Sequence, residues 1–248
     1  MDKVQIIILA GGLGKRMANK ELPKALTMLR GRPLLSYLLE SVKKSGVCPR
    51  PVIVVGRMAE KIRETIGSNY TYVFQPKPLG TGHAVMCAQA ELEGRVKDIL
   101  VLYADQPLIS PATIKRLAKT HLKEGQVITV GIVKVPDFNN WRAGFYDFGR
   151  FIRNQNGDLK GIIEKKDASF KQLSIREINP GYYCFQATWL WQNLTKLKNS
   201  NAQKEYYLTD LIKLAFGQGQ KIASIVISPK EALGVNTAEQ LELAERII

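Results

Sequence analysis

The order of apolar runs and amphipathic stripes predicts an α/β protein whose mixed, mostly parallel sheet carries helices on both faces. Two observations carry that expectation. From the N-terminus to about residue 134, short β-branched runs alternate with helical stripes, the pattern of parallel strands joined by crossover helices. Beyond Val135 this gives way to short extended runs on either side of Asn156-Gly157, a dipeptide that favours a hairpin turn, so an antiparallel subregion is expected there. With no internal repeat and no long linker, residues 1–248 read as one domain, with a first half at 1–134, a second half at 135–236 and a closing helix at 237–248.

Gln5 to Leu9 is a buried first strand that runs into Ala10, Gly11, Gly12 and Gly14. Pro33 to Lys44 places Leu34, Leu35, Leu38, Leu39 and Val42 on one helical stripe. Strands at Pro51 to Val55 and Thr71 to Gln75 flank a short helix at Ala59 to Ile66, and a helix at Thr81 to Glu91 leads to a strand at Asp98 to Tyr103. Ser110-Pro111 supplies an N-cap and a first-turn proline for a helix to about Lys123, followed by a strand at Gln126 to Lys134. Pro136 to Phe148 is a polar and aromatic insertion, and Gly149 to Arg153 with Leu159 to Glu164 form the hairpin arms. Glu177 to Ala187 reads as extended, Thr188 to Leu197 and Leu208 to Gly217 as helices, and Ile222 to Ile227 as a strand. Thr237 and Gln240 have capping-box spacing at the start of the last helix.

Hydrophobic residues at 45% and charged residues at 23% exclude disorder and low complexity. No run resembles a membrane span or a secretory leader, so a cytoplasmic location is expected. Three cysteines without a CxxC pair and two histidines leave no disulfide framework or structural zinc site to expect. The net charge of +14 suits anionic partners. Its basic residues are dispersed, and no RNP motif, zinc finger or basic region with heptads is present, so phosphorylated metabolites are favoured over nucleic acid.

The glycine turn after the first strand is where the chemistry is expected. Small residues let backbone N–H groups approach an anion, and Lys15, Arg16 and Lys24 add positive charge. A Walker A loop is excluded because Arg16, not Ser or Thr, follows Gly14-Lys15. The dinucleotide fingerprint fails too, with Met17 in place of its third glycine and Gly56 in place of an acidic residue after the second strand. On its own the turn fits phosphate binding and a plain tight turn equally. Ligands in such sheets sit beyond the carboxyl ends of strands, which brings in Gln75, Asp105 and Asn236. Asp105 with the amide oxygen of Asn236 could hold magnesium, which accepts few protein ligands plus phosphates and water; each is also an ordinary turn or capping residue.

Leu9-Ala10-Gly11-Gly12-Leu13-Gly14-Lys15-Arg16-Met17, Leu22-Pro23-Lys24, Gln75 and Leu79-Gly80-Thr81-Gly82-His83-Ala84 together resemble the signature of sugar-1-phosphate nucleotidyltransferases. Within them the chain is most similar to the N-acetylglucosamine-1-phosphate uridylyltransferases, through Tyr103, Asp105-Gln106-Pro107, Gly149-Arg150, Gly161 to Glu164, Asn179, Glu205-Tyr206-Tyr207 and Gly234-Val235-Asn236. The resemblance spans nearly the whole chain. It implies a Rossmann-like, GT-A-like fold with an antiparallel sugar-binding subregion. It further implies that Leu9, Ala10, Gly11, Gly12, Gly14, Lys24, Gln75, Gly80 and Thr81 bind UTP, and that Tyr103, Gly149, Glu164 and Asn179 border the sugar 1-phosphate. Asp105 and Asn236 would bind Mg2+, with Arg16, Lys24 and Asp105 catalytic.

The implied reaction is in-line attack of the sugar phosphate on the α-phosphorus of UTP, releasing pyrophosphate. A phosphate monoester with its second pKa at about 6 is already mostly dianionic, so no general base is needed. His83 accordingly reads as structural. Glu164 reads as an acceptor for a sugar hydroxyl, or as a partner of Lys165 or Lys166, and Trp189 and Trp191 as core or a partner face. The chain departs from the family in a longer insertion around Phe138 to Tyr146, in Ala104 where glycine is usual, and in lacking hexapeptide repeats for an acetyltransferase. Another sugar 1-phosphate, dTTP in place of UTP, or a nucleotide-sugar sensor without turnover are the alternatives.

Overall fold

In the computed structural model, residues 4–12 and 22–248 are described, so Gly14, Lys15 and Arg16 lie outside the described residues. The first strand, β1 (Val4–Ala10), keeps Ile6, Ile7 and Ile8 fully buried because both faces of the sheet are covered. A short hairpin, β2 (Met28–Leu29) and β3 (Arg32–Pro33), turns through Arg30 and Gly31, both at positive φ, and delivers α1 (Leu34–Ser45) with its predicted leucine stripe inward. That hairpin was not expected from the sequence, since two-residue arms carry no alternation to read. β4 (Val52–Val55), α2 (Ala59–Ile66) and β5 (Thr71–Phe74) follow as expected. The helix expected at Thr81 to Glu91 breaks at Ala88 into α3 (Thr81–Cys87) and α4 (Gln89–Leu92). Next come β6 (Asp98–Tyr103), α5 (Pro111–Glu124), whose Ser110 hydroxyl accepts from the Thr113 N–H, and β7 (Ile128–Lys134).

The second half opens with a 3-10 segment at Asn140–Asp147 and the hairpin β8 (Gly149–Arg153) and β9 (Leu159–Ile163). α6 (Phe170–Leu173) is one turn with a capping box at Ser169 and Gln172. The run expected to be extended from Glu177 to Ala187 splits at Pro180-Gly181 into β10 (Glu177–Asn179) and β11 (Tyr183–Gln186). α7 (Ala187–Leu194), α8 (Asp210–Gly217), β12 (Ile222–Ile227) and α9 (Ala238–Ile247) complete the chain. Trp189 and Trp191 on α7 are core residues.

The strands order as β5-β4-β1-β6-β11-β7-β10-β8-β9, with β12 also on β7. β5, β4, β1 and β6 are parallel, as is β12 on β7; β11 runs antiparallel between β6 and β7. This register sets Ala10 beside Val55, Val55 beside Phe74, and Leu9 beside Tyr103. Gly11, Gln75 and Ala104 therefore emerge at one edge. Leu35, Leu38 and Ile114 pack on one face of the sheet, and Val85, Leu190 and Leu211 on the other.

The insertion is anchored by Arg150, whose fully buried guanidinium donates to the carbonyls of Phe148, Tyr146 (3.1 Å) and Leu173 (3.3 Å) and lies 4.7 Å from the Phe138 ring. Burial lowers its pKa, and no acidic side chain among the described residues hydrogen-bonds it. Arg150→Met leaves those carbonyls without their donor, and urea unfolding is expected to register a loss of about 2–4 kcal/mol.

Candidate active site at the carboxyl edge of the sheet

Beyond the ends of β1, β5 and β6 lies an open pocket of about 220 Å³. Leu9, Ala10, Gly11, Gly12, Lys24, Gln75, Gly80, Thr81, Tyr103 and Asp105 all line it, so ten of the sequence-predicted positions converge. Pro78, Ala84 and Glu205 line it too, although none of them was assigned a site role from the sequence.

Gln75 continues β5, its N–H bonded to the Val55 carbonyl at 2.8 Å. Its side chain is buried, with Nε2 donating to the Gly80 carbonyl at 3.2 Å and facing His83 Nδ1 at 3.1 Å. Its Oε1 lies against Gly11, where a Cβ would stand 2.8 Å away. Gly80 adopts φ +104°, and a Cβ there would meet the Tyr206 carbonyl oxygen at 2.7 Å. That close approach exists because the Tyr206 N–H bonds the Leu79 carbonyl and the Gly82 N–H bonds the Tyr206 carbonyl, each at 2.8 Å. The Glu205-Tyr206-Tyr207 segment is thus a strap across the Gly80 loop. Its residues stood among the sequence motifs, but nothing in a linear reading places them on that loop.

The second cluster is polar. Lys24 Nζ donates to Asp105 Oδ2 and, at 2.5 Å, to Asn236 Oδ1. Two tethers hold this geometry from behind: the Val235 N–H bonds the Asp105 carbonyl at 2.8 Å, and Gln240 Oε1 accepts from the Asn236 N–H at 2.7 Å. Thr237 caps α9 through the Gln240 N–H as expected, whereas the Gln240 side chain reaches one residue further back than a capping box requires. The oxygens of Asp105 and Asn236 thus converge on one cation, here the ammonium of Lys24. Among the described residues no group of three or more His, Cys, Asp and Glu could hold a metal ion.

A third cluster adjoins Tyr103. Asn179 pairs with Gly149 across β10 and β8, and a Cβ on Gly149 would lie 3.3 Å from Glu164 Oε2. Glu164 accepts from the Thr209 hydroxyl at 3.1 Å, while Lys165 pairs with Asp147 and Lys166 donates to Gln203. The lysine pairing weighed for Glu164 is therefore not formed. Asn179 Oδ1 accepts from the Gly181 N–H at 3.0 Å and from the Tyr183 hydroxyl at 2.7 Å. Thr81 joins this cluster to the pocket: its hydroxyl accepts from the Leu208 N–H at 3.1 Å and hydrogen-bonds the Tyr103 phenol. Burial raises the Tyr103 pKa beyond the usual tyrosine range, so the phenol stays protonated.

Burial likewise raises the pKa of Glu164. The folded chain then takes up this proton more readily than the unfolded one, so stability falls as pH rises from the ordinary carboxylate range through the raised value. Glu164→Gln keeps an acceptor for Thr209 and removes the charge. Urea unfolding at about pH 5 and about pH 8 is expected to show a flatter pH dependence and higher stability at the upper pH than the parent.

The profile of the MobA-like NTP transferase domain matches residues 6–161. The chain belongs to this family. It is a nucleotidyltransferase, and the pocket lies within the strands and loops of that match together with segments beyond it. This NTP transferase is 39% identical over 251 residues to the bifunctional protein GlmU of Acetivibrio thermocellus and 41% identical over 251 residues to that of Geotalea daltonii. It spans about half of each relative's length, 52% and 53%, with its own chain fully covered. A crystal structure of UDP-glucose pyrophosphorylase complexed with UDP-glucose superposes with a TM-score of 0.79 at 18% identity, covering 100% of this chain and 98% of that one. The Rossmann-like nucleotidyltransferase fold expected from the sequence is the fold observed. No helix among the described residues is long and apolar enough to cross a membrane.

Proposed function

We propose that this NTP transferase moves the uridylyl group of UTP onto N-acetylglucosamine 1-phosphate, releasing pyrophosphate. The single observation that carries the reading is the convergence of Lys24, Asp105 and Asn236 at the pocket lined by Gln75 and Gly80. Likeness to about half the length of each of the two GlmU relatives supports the choice of acceptor. On this reading Gln75 and Gly80 meet the base, while Gly11, Gly12 and the loop carrying Gly14 and Arg16 receive the triphosphate. Tyr103, Gly149, Glu164 and Asn179 border the amino sugar.

The reaction needs no protein nucleophile, because the sugar phosphate is itself an anion ready to attack. The enzyme must align two mutually repelling anions and offset the charge that builds at the α-phosphate and the leaving group. Lys24 would serve that need, its ammonium lining the same pocket as Gln75 and Tyr103 and bonding Asp105 and Asn236. Asp105 and Asn236 would hold Mg2+, and their shared hold on one cation fits that role; the ion supplies charge neutralisation on the phosphates when bound. Glu164 accepts a sugar hydroxyl, with Thr209 keeping its other lone pairs oriented. An intact cation cluster also speaks against a sensor without turnover, which has no need of it.

The reverse reaction tests the acceptor. Incubation with UDP-N-acetylglucosamine, pyrophosphate and Mg2+ should form UTP, and replacing the sugar by glucose should slow UTP formation by about tenfold or more, as expected when buried polar groups lose a partner. Faster UTP formation from UDP-glucose would overturn the choice of N-acetylglucosamine. Gly11→Ala places a methyl group 2.8 Å from Gln75 Oε1 and is expected to raise KM for UTP by about tenfold with a smaller change in kcat.

A further inference from the structure

The base-facing amide of Gln75 has its orientation fixed by two neighbours, of which one is a side chain. Its Nε2 meets the Gly80 carbonyl at 3.2 Å and His83 Nδ1 at 3.1 Å. A carbonyl oxygen only accepts, so the atom opposite Gly80 is the NH2 group. The nitrogen of His83 that faces the same NH2 must then be the unprotonated one, placing the ring proton on Nε2. With both N–H groups engaged, the atom left to the pocket is Oε1. It lies beside Gly11 and hydrogen-bonds no protein group among the described residues.

We propose that His83 is a positioning residue that makes the site select a pyrimidine with an N–H on its pairing edge and reject cytosine. The inference rests on the reading that Gln75 meets the base. A uracil or thymine N3–H donates to a fixed acceptor, whereas the bare N3 of cytosine meets that acceptor lone pair to lone pair. To bind cytosine, Gln75 must flip its amide, which turns Oε1 toward the Gly80 carbonyl and toward His83 Nδ1; the second contact is relieved only if the ring proton also moves from Nε2 to Nδ1. Without His83 the flip opposes the Gly80 carbonyl alone and needs no such shift. The histidine therefore adds up to roughly one hydrogen bond to the difference between the bases, a change in preference of up to about tenfold. This role needs no proton transfer to or from the substrate, which agrees with a mechanism that has none for the ring to make.

The test is the ratio of kcat/KM for UTP to that for CTP, with pyrophosphate release as the signal. His83→Leu and His83→Phe both remove the acceptor, the second with a ring of similar size. Whichever variant folds should lower the ratio by up to about tenfold, chiefly by improving CTP. An unchanged ratio in a folded variant overturns the proposal. So does a fall that comes from slower UTP turnover with CTP unimproved, which is what a packing role would give. A parent enzyme that does not prefer UTP to CTP sinks the reading of Gln75 itself and is distinguishable from either result.

Discussion

Asp105→Asn is expected to lower turnover by roughly 10³-fold while the chain remains folded. The substitution keeps the volume of the side chain and removes one negative charge from the cluster. Asp105 Oδ2 then no longer pairs with Lys24, and the oxygen pair offered with Asn236 loses its anionic member. A divalent cation held by only one or two protein oxygens depends on that charge. The fold is spared because the loop is tied down through the Asp105 backbone, whose carbonyl accepts from the Val235 N–H at 2.8 Å. Pyrophosphate release at saturating substrate, with a thermal melt as control, reads both quantities. Turnover within about tenfold of the parent in a folded variant would remove Asp105 from the chemistry.

Lys24→Ala should cost roughly 10²-fold or more, through loss of a cation at the transition state. Its effect belongs in kcat more than in KM, because the charge it offsets grows along the reaction. Lys24 also holds Asp105 and Asn236 on a common centre, so the two substitutions share one cluster and should not multiply. The double variant is expected near the slower single variant. A double variant slowed by the full product of the two effects would mean that Lys24 and Asp105 act independently, contrary to the hydrogen bond between them.

Much of this was legible in the sequence because it depends on short-range pattern. The leucine stripe of α1, the Ser110 cap of α5 and the β-branched runs of β1 and β6 are local signals that tertiary packing reinforced. The glycine turn and the strand-end positions of Gln75 and Asp105 followed from the same alternation. Other features depend on contacts across the chain. Lys24 reaches residues 81 and 212 positions away, and no spacing announces that. The insertion of β11 between β6 and β7 is likewise invisible, since an antiparallel and a parallel buried strand read alike when both faces are covered. Glu164 had a neighbouring lysine on either reading, yet Lys165 turns to Asp147 and the carboxylate finds Thr209 instead. His83 was legible as structural and not as the partner of Gln75, because an i,i+8 pair joining a strand end to a helix has no periodic signature.

The most direct test of the account is pyrophosphate release across a matrix of UTP, dTTP, CTP and GTP, each with N-acetylglucosamine 1-phosphate, glucose 1-phosphate or no acceptor, in the presence of Mg2+. The account predicts the highest kcat/KM for UTP with N-acetylglucosamine 1-phosphate, and none without an acceptor. Highest efficiency with any other pair, or no release with any pair, would contradict it.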